Sequence, residues 1–303
     1  MGTGHSHGPA PEHAGGRHRA RLAAAFALTA AFFAVELGTG LASGSLALVS
    51  DAGHMAADVM ALGASLVATR IATRPDRSGR RTYGSYRAEV FASGLTVLIM
   101  LGVGVYVLLQ GMSRIGEPPA VTTGAMLVVG FLGLVINVAA LLLLRGGSKE
   151  SLNVRGAYFE VIADAAGSVG VMVAGVLIIV TGNPVWDVLV AVAIALFVIV
   201  RAVTLGRQVL AVLGQHAPEG IDPEAVAACL DDIDGVDQVH DLHMWALTSG
   251  MNVATAHLVT GPQADHHEVL DNARDVLRDR FGITHATLQV EPADHTGCED
   301  LTW

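Results

Sequence analysis

The stretch SLALVSDAGHMAADVMALGASLVATR, Ser45–Arg70, decides how the rest of the chain is read. It is long and apolar enough to cross a bilayer as a helix, yet its first half carries Asp51, His54 and Asp58. At about 100° per residue, His54 and Asp58 share a face, and Asp51 falls within roughly 60° of both. An ionisable group at membrane depth costs roughly 2.5–3.5 kcal/mol on insertion scales, so it normally faces a bundle interior or an aqueous cavity. An imidazole and a carboxylate one turn apart can grip a single divalent ion.

A second pair with the same spacing lies downstream. In AYFEVIADAAGSVG, Glu160 and Asp164 sit one helical turn apart on an otherwise apolar span. Two helices that each offer a pair supply four ligands, His54, Asp58, Glu160 and Asp164, the number tetrahedral zinc prefers. Each pair could instead be a buried hydrogen-bond network that holds helices together. Asp51 shares the face and suits a supporting role. One imidazole with three carboxylates fits Zn²⁺, and also Co²⁺, Cd²⁺, Ni²⁺, Fe²⁺ or Mn²⁺. No Cys or Met pair is in register for Cu⁺, and Ca²⁺ wants six or more oxygens.

Proton coupling follows from the same groups. Carboxylates and an imidazole crowded at low dielectric favour holding protons while the site is empty. A divalent ion needs them deprotonated, so metal binding expels protons and protons expel metal. Single polar groups elsewhere in the spans, Glu36, Gln110 and Asn137, read as interhelical hydrogen-bonding residues. Asp187, next to Trp186, reads as the cap of the last span.

Around these helices, six apolar runs lie at approximately 21–42, 46–70, 88–112, 121–144, 156–181 and 185–206. Arg17, Arg19 and Arg21 precede the first, and Arg70, Arg74, Arg77, Arg80, Arg81 and Arg87 follow the second. Arg145, Lys149 and Arg155 follow the fourth, Arg201 and Arg207 close the sixth, and the opposite loops hold only Arg114. The positive-inside rule then puts both termini in the cytoplasm of a multi-pass protein of the inner or plasma membrane.

The bulk numbers agree with a membrane part joined to a small soluble one. The chain has 303 residues, 52% of them hydrophobic and 15% charged, and a mean hydropathy of +0.51. Its net charge is −10, and from His216 onward 17 Asp/Glu face three Lys/Arg. That acidity argues against nucleic acid as a partner and suits either a cation-handling surface or solubility alone. Two cysteines, Cys229 and Cys298, rule out a disulfide framework.

Residues 1–20, with His5, His7, His13 and His18 among Gly and Pro, predict a disordered tail and no secretory signal peptide. The division expected is therefore tail 1–20, membrane domain 21–214, soluble domain 215–292 and C-terminal tail 293–303. From Asp222-Pro223 a helix starts, Val236–Ser249 and Met251–Thr260 form a hairpin, Asp265–Phe281 has helical spacing, and Thr284–Glu291 reads as a last strand. The order is αββαβ. His240, His243, His257, His285 and Glu291 lie on or beside these strands. His257 can meet His240 across the hairpin with Glu291 nearby, whereas His240 and His243 share a site only if the strand bulges.

LALVSDAGHMAADV, YGSYRAEVFA, NVRGAYFEVIADAAGSVGV, HAPEGID, VHDLHMWALTSGMNVATAHLV and TLQVEP resemble the cation diffusion facilitators over about residues 20–292. The likeness is strongest to the zinc/cobalt/cadmium-resistance branch. It implies six transmembrane helices and a ferredoxin-like, metallochaperone-like α+β cytoplasmic domain. It also implies a homodimeric exporter of Zn²⁺ or related ions (Cd²⁺, Co²⁺) that works in the lipid bilayer as a metal–proton antiporter. Carried over by position, the resemblance puts transported metal on His54, Asp58, Glu160 and Asp164, and regulatory metal on His240, His257 and Glu291. His243 and Cys298 are more distant candidates. Many zinc-transporting members carry His where Glu160 stands, so a carboxylate here implies looser discrimination among divalent ions.

Two other functions use the same groups. A membrane-embedded metalloenzyme would need an open coordination position and a general base, and no HExxH element is present. A metal-gated channel or sensor would use the acidic domain as its gate.

Overall fold

The computed structural model describes residues 19–72, 81–114, 116, 120–144, 152–248 and 250–294, with side chains outside that description at 19–25, most of 61–72, 143–144 and 152–160. The N-terminal histidines, Arg74, Arg77, Arg80 and Cys298 lie outside it. Two compact units are present, one of residues 1–75 and 92–206, the other of 76–91 and 207–303.

The first unit is helical, built from α1 (Arg19–Ser43), α2 (Leu46–Ala72), all but the first turn of α3 (Ala88–Ser113), α4 (Thr123–Leu144), α5 (Leu152–Thr181) and the part of α6 (Val185–Leu213) up to residue 206. By length and composition, five segments among the described residues can cross a membrane: Phe26–Ser43, Ala88–Ser113, Thr123–Leu142, Val161–Thr181 and Val185–Leu213. The remaining helix, α2, is 27 residues long and carries the ionisable cluster. Apolar side chains such as Leu98, Leu109, Val180 and Val200 point outward, as lipid-facing helices require. Inside, Leu46, Leu48, Val107, Met126, Val171 and Ala191 form the main core.

Helix α1 packs along α2 and α4 along α5, while α2 and α5 meet over a much shorter length. The approach of α4 to α5 depends on Gly133, where a Cβ would stand 2.9 Å from Ser168 Oγ.

The sixth apolar run was expected to end near 206; α6 instead continues as helix to Leu213. Arg201 therefore lies within the helix and not at its end.

Asp187 also departs from expectation. It caps α2, not its own helix: fully buried, it accepts from Ser45 Oγ at 2.6 Å, from Leu46 N at 2.6 Å and from Ala47 N at 3.2 Å. Ser45 Oγ in turn accepts from Leu48 N at 3.2 Å. Three of the four N–H groups that a helix start leaves unpaired are thus satisfied, two of them by a carboxylate placed where the helix dipole favours negative charge.

The second unit contains α7 (Pro223–Asp231), β1 (Val236–Thr248), β2 (Met251–Thr260), α8 (His266–Phe281) and β3 (His285–Pro292). This is the αββαβ order read from the sequence. The sheet order is β1-β2-β3; β1 pairs antiparallel with β2, and β3 lies parallel to β2 after the α8 crossover. Asp222 caps α7 ahead of Pro223, and Asp265 caps α8 by accepting from His267 N and Glu268 N. Val226, Leu230, Val269 and Leu277 of the helices pack on Ala254, Ala256 and Leu258 of β2. By alternation, His257 of β2 and Gln289 and Glu291 of β3 point to the other face.

Candidate functional site

Helix α2 presents His54 and Asp58 on one face, and α5 brings Asp164 to them. His54 Nε2 lies 2.9 Å from Asp164 Oδ1. One ligand atom from each of His54, Asp58 and Asp164 falls within a 4.8 Å sphere of mutual separation. His54 is 2% exposed. Asp164 Oδ1 is buried, with the His54 imidazole as its ionic partner and no well-formed hydrogen bond among the described residues. Such an atom is costly unless something else binds it. Glu160 stands on α5 one turn before Asp164, and its side chain lies outside the described residues.

Two further groups reach His54 from α6. The Phe197 ring meets it edge-on at 6.0 Å. Arg201 Nη1 lies 3.3 Å from Nδ1 and 3.2 Å from Nε2, and Arg201 Nη2 is 4.0 Å from Asp58 Oδ1. In the sequence Arg201 belongs only to the positive end of α6. An arginine near the end of an apolar run looks interfacial, and no local signal aims it inward.

Asp51 is placed behind the cluster rather than in it. Its carboxyl adjoins that of Glu36 on α1, and both are buried at 4% and 1% exposure. Glu36 Oε2 has no hydrogen-bond partner among the described residues. Space for Asp51 comes from Gly167 on α5, where a Cβ would stand 2.5 Å from Asp51 Oδ1. Glu36 read as an isolated interhelical residue; its link to Asp51 depends on how α1 and α2 pack, which spacing does not give.

The soluble unit holds a second cluster. His240 and His257 face each other in the β1–β2 register, with ring centroids 5.0 Å apart. Glu291 of β3 reaches both, with Oε1 2.8 Å from His257 Nδ1 and Oε2 3.4 Å from His240 Nε2. Gln289 Nε2 donates to Glu291 Oε1 at 2.7 Å and holds the carboxylate in place. His257 Nδ1 is buried and, like Asp164 Oδ1, has no hydrogen-bond partner among the described residues.

His243 is elsewhere. The ladder slips between His240 and His243, and Asp241 adopts a φ of 52°, the left-handed region that Asp tolerates better than most residues. The bulge turns His243 to Asp241 Oδ1, 3.0 Å away, and leaves Asp241 Oδ2 3.9 Å from His257 Nε2. His285 lies at the start of β3, away from the cluster, with its ring against Tyr83.

Residues 22–213 match the family model of the cation efflux transmembrane domain, and residues 218–293 match that of the cation efflux protein cytoplasmic domain. The metal cation efflux system protein CzcD of Cupriavidus metallidurans is 41% identical over 97% of this chain and 91% of its own length. The zinc transporter ZitB of Escherichia coli is 34% identical over 95% and 92%. A cadmium, cobalt and zinc/H(+)-K(+) antiporter of Bacillus velezensis is 33% identical over 96% and 93%. A solved structure, the metal-bound C-terminal domain of the Cupriavidus CzcD transporter, is 40% identical and covers 23% of this chain and 99% of that one, with a TM-score of 0.23. The members of this family are transporters, which removes the metalloenzyme alternative. The chain belongs to the cation diffusion facilitator, or cation efflux, family.

Proposed function

We propose that the protein exports divalent metal ions, Zn²⁺ foremost and Cd²⁺ or Co²⁺ by the same route, in exchange for protons. The observation that carries this reading is the convergence of His54, Asp58 and Asp164 from two helices into one cluster. Glu160, one turn from Asp164, completes a tetrahedral set. The names of the relatives, metal cation efflux protein, zinc transporter and cadmium, cobalt and zinc antiporter, support the ion class.

In this reading six helices cross the membrane with both termini cytoplasmic, and α2 and α5 carry the ion between them. Their short mutual contact suits a pair that opens. Metal enters as protons leave His54 and the carboxylates, and protons arriving from the far side release it. The buried Glu36–Asp51 pair supports this exchange from behind.

The domain of residues 215–292 is ferredoxin-like, and it pairs two chains in a homodimer. It holds a resident ion on His240, His257 and Glu291. Two imidazoles and one carboxylate that converge fit zinc. That ion would crosslink three strands and stiffen the sheet.

Uptake of Zn²⁺ into everted vesicles under an imposed pH gradient tests the reading. Transport is expected to saturate, to move protons the other way and to vanish in Asp58→Ala. Full transport by Asp58→Ala, or flux with no opposing proton movement, would overturn it.

A further inference from the structure

We propose that Arg201 is a built-in counter-cation of the transport site, which occupies the ligand set while it is empty and must be displaced by the incoming metal. The inference rests on the transport-site reading above and adds to it a fixed positive charge that competes with the substrate.

The geometry carries it. Arg201 Nη1 is almost equidistant from both ring nitrogens of His54, 3.3 and 3.2 Å away. One N–H cannot point along two lone pairs that diverge across a five-membered ring, so the guanidinium stands against the imidazole chiefly as a charge. Its other nitrogen lies 4.0 Å from Asp58 Oδ1. His54 and Asp58 are therefore the two α2 groups that the guanidinium and a metal ion would both need.

Arginine offers no lone pair and does not lose its charge, so it cannot join a coordination shell. A divalent ion held by His54, Asp58 and Asp164 would repel a guanidinium within a few ångströms at low dielectric. The two occupants exclude each other. Arg201 has room to leave, because its side chain is 31% exposed and is carried on a long flexible stem. Phe197, one turn earlier on α6, touches the same imidazole, so α6 addresses the site through two residues of one face.

Two consequences follow for transport. The emptied site keeps a positive charge among its carboxylates. The guanidinium also lowers metal affinity by the cost of its own displacement, which speeds release.

The test uses the full chain in lipid nanodiscs and proteoliposomes, with His257→Ala as background so that the soluble site is silent, and Zn²⁺ as the probe. Arg201→Gln and Arg201→Met are expected to tighten Zn²⁺ binding by about tenfold or more, with KM and kcat for transport falling together. Arg201→Lys, which keeps the charge, should stay within about threefold of the parent. Unchanged or weaker binding in a neutral variant that folds overturns the proposal. If neither neutral variant assembles, Arg201→Lys decides: retention within that range supports a charge role, and a larger change refutes it. Asp58→Asn separates the two levels of inference. If it binds Zn²⁺ like the parent, the transport-site reading falls. If it loses binding while Arg201→Gln leaves affinity unchanged, only the role of Arg201 falls.

Discussion

The two ligand clusters use similar chemistry on opposite kinds of scaffold. In the soluble unit, His240, His257 and Glu291 sit on adjacent strands whose backbone ladders fix their separation, and Gln289 braces the carboxylate. In the membrane unit, His54 and Asp58 stand on α2 and Asp164 on α5, helices that share little surface. Arg201 adds a positive charge there. A cage set by a hydrogen-bonded sheet suits an ion that stays. A cage divided between two loosely joined helices, with a competing cation beside it, suits an ion that leaves.

Exchanging the lesions gives the sharpest test of that contrast. His54→Ala should reduce Zn²⁺ transport by about a hundredfold or more, since even an outer partner of a ligand is worth 10–100-fold. It should leave zinc-dependent protection of residues 236–292 from hydrogen exchange intact. His257→Ala should do the reverse, abolishing the protection while transport continues at a reduced rate. Equal loss of transport in both would collapse the distinction between moving and resident ions.

A smaller effect is expected at the start of α2. Asp187→Ala strips partners from Ser45 Oγ, Leu46 N and Ala47 N. Each buried group left unpaired costs about 1–3 kcal/mol. Thermal unfolding in detergent should shift down clearly while the metal affinity of the soluble cluster stays unchanged.

The smallest effect concerns only the scaffold of the soluble cluster. The N–H groups of His267 and Glu268 hold the Asp265 carboxyl below the usual carboxylate range. A depressed pKa means that the cap stabilises α8 above the unfolded-state value and loses that contribution as pH falls through the folded-state value. The denaturation midpoints of the parent and Asp265→Ala should therefore differ at neutral pH and converge in acid. A gap that persists well below the carboxylate range would refute the capping role.

Long apolar runs and the spacing of two polar pairs made the helices and the His54–Asp58 face legible, because both depend on local periodicity. The αββαβ order was legible for the same reason, from caps at Asp222 and Asp265 and the turn at Gly250. What spacing does not carry is which helix a side chain leans toward. Asp187 at the start of α6 looked like a cap of that helix and serves α2 instead. Arg201 and Glu36 act across interfaces that only packing creates. The bulge at Asp241 could be named as a condition for His243, but not its outcome, which sends His243 away from the cluster.

The Asp187 cap also sets a lever. It pins α2 at Leu46, and 27 residues at about 1.5 Å each make an arm of roughly 40 Å. A swing of about 10° around that pin would carry the far end some 7 Å, but His54, about 12 Å along, only about 2 Å. A displacement of that size is enough to break a coordination bond, and the helix start that the carboxylate grips hardly moves.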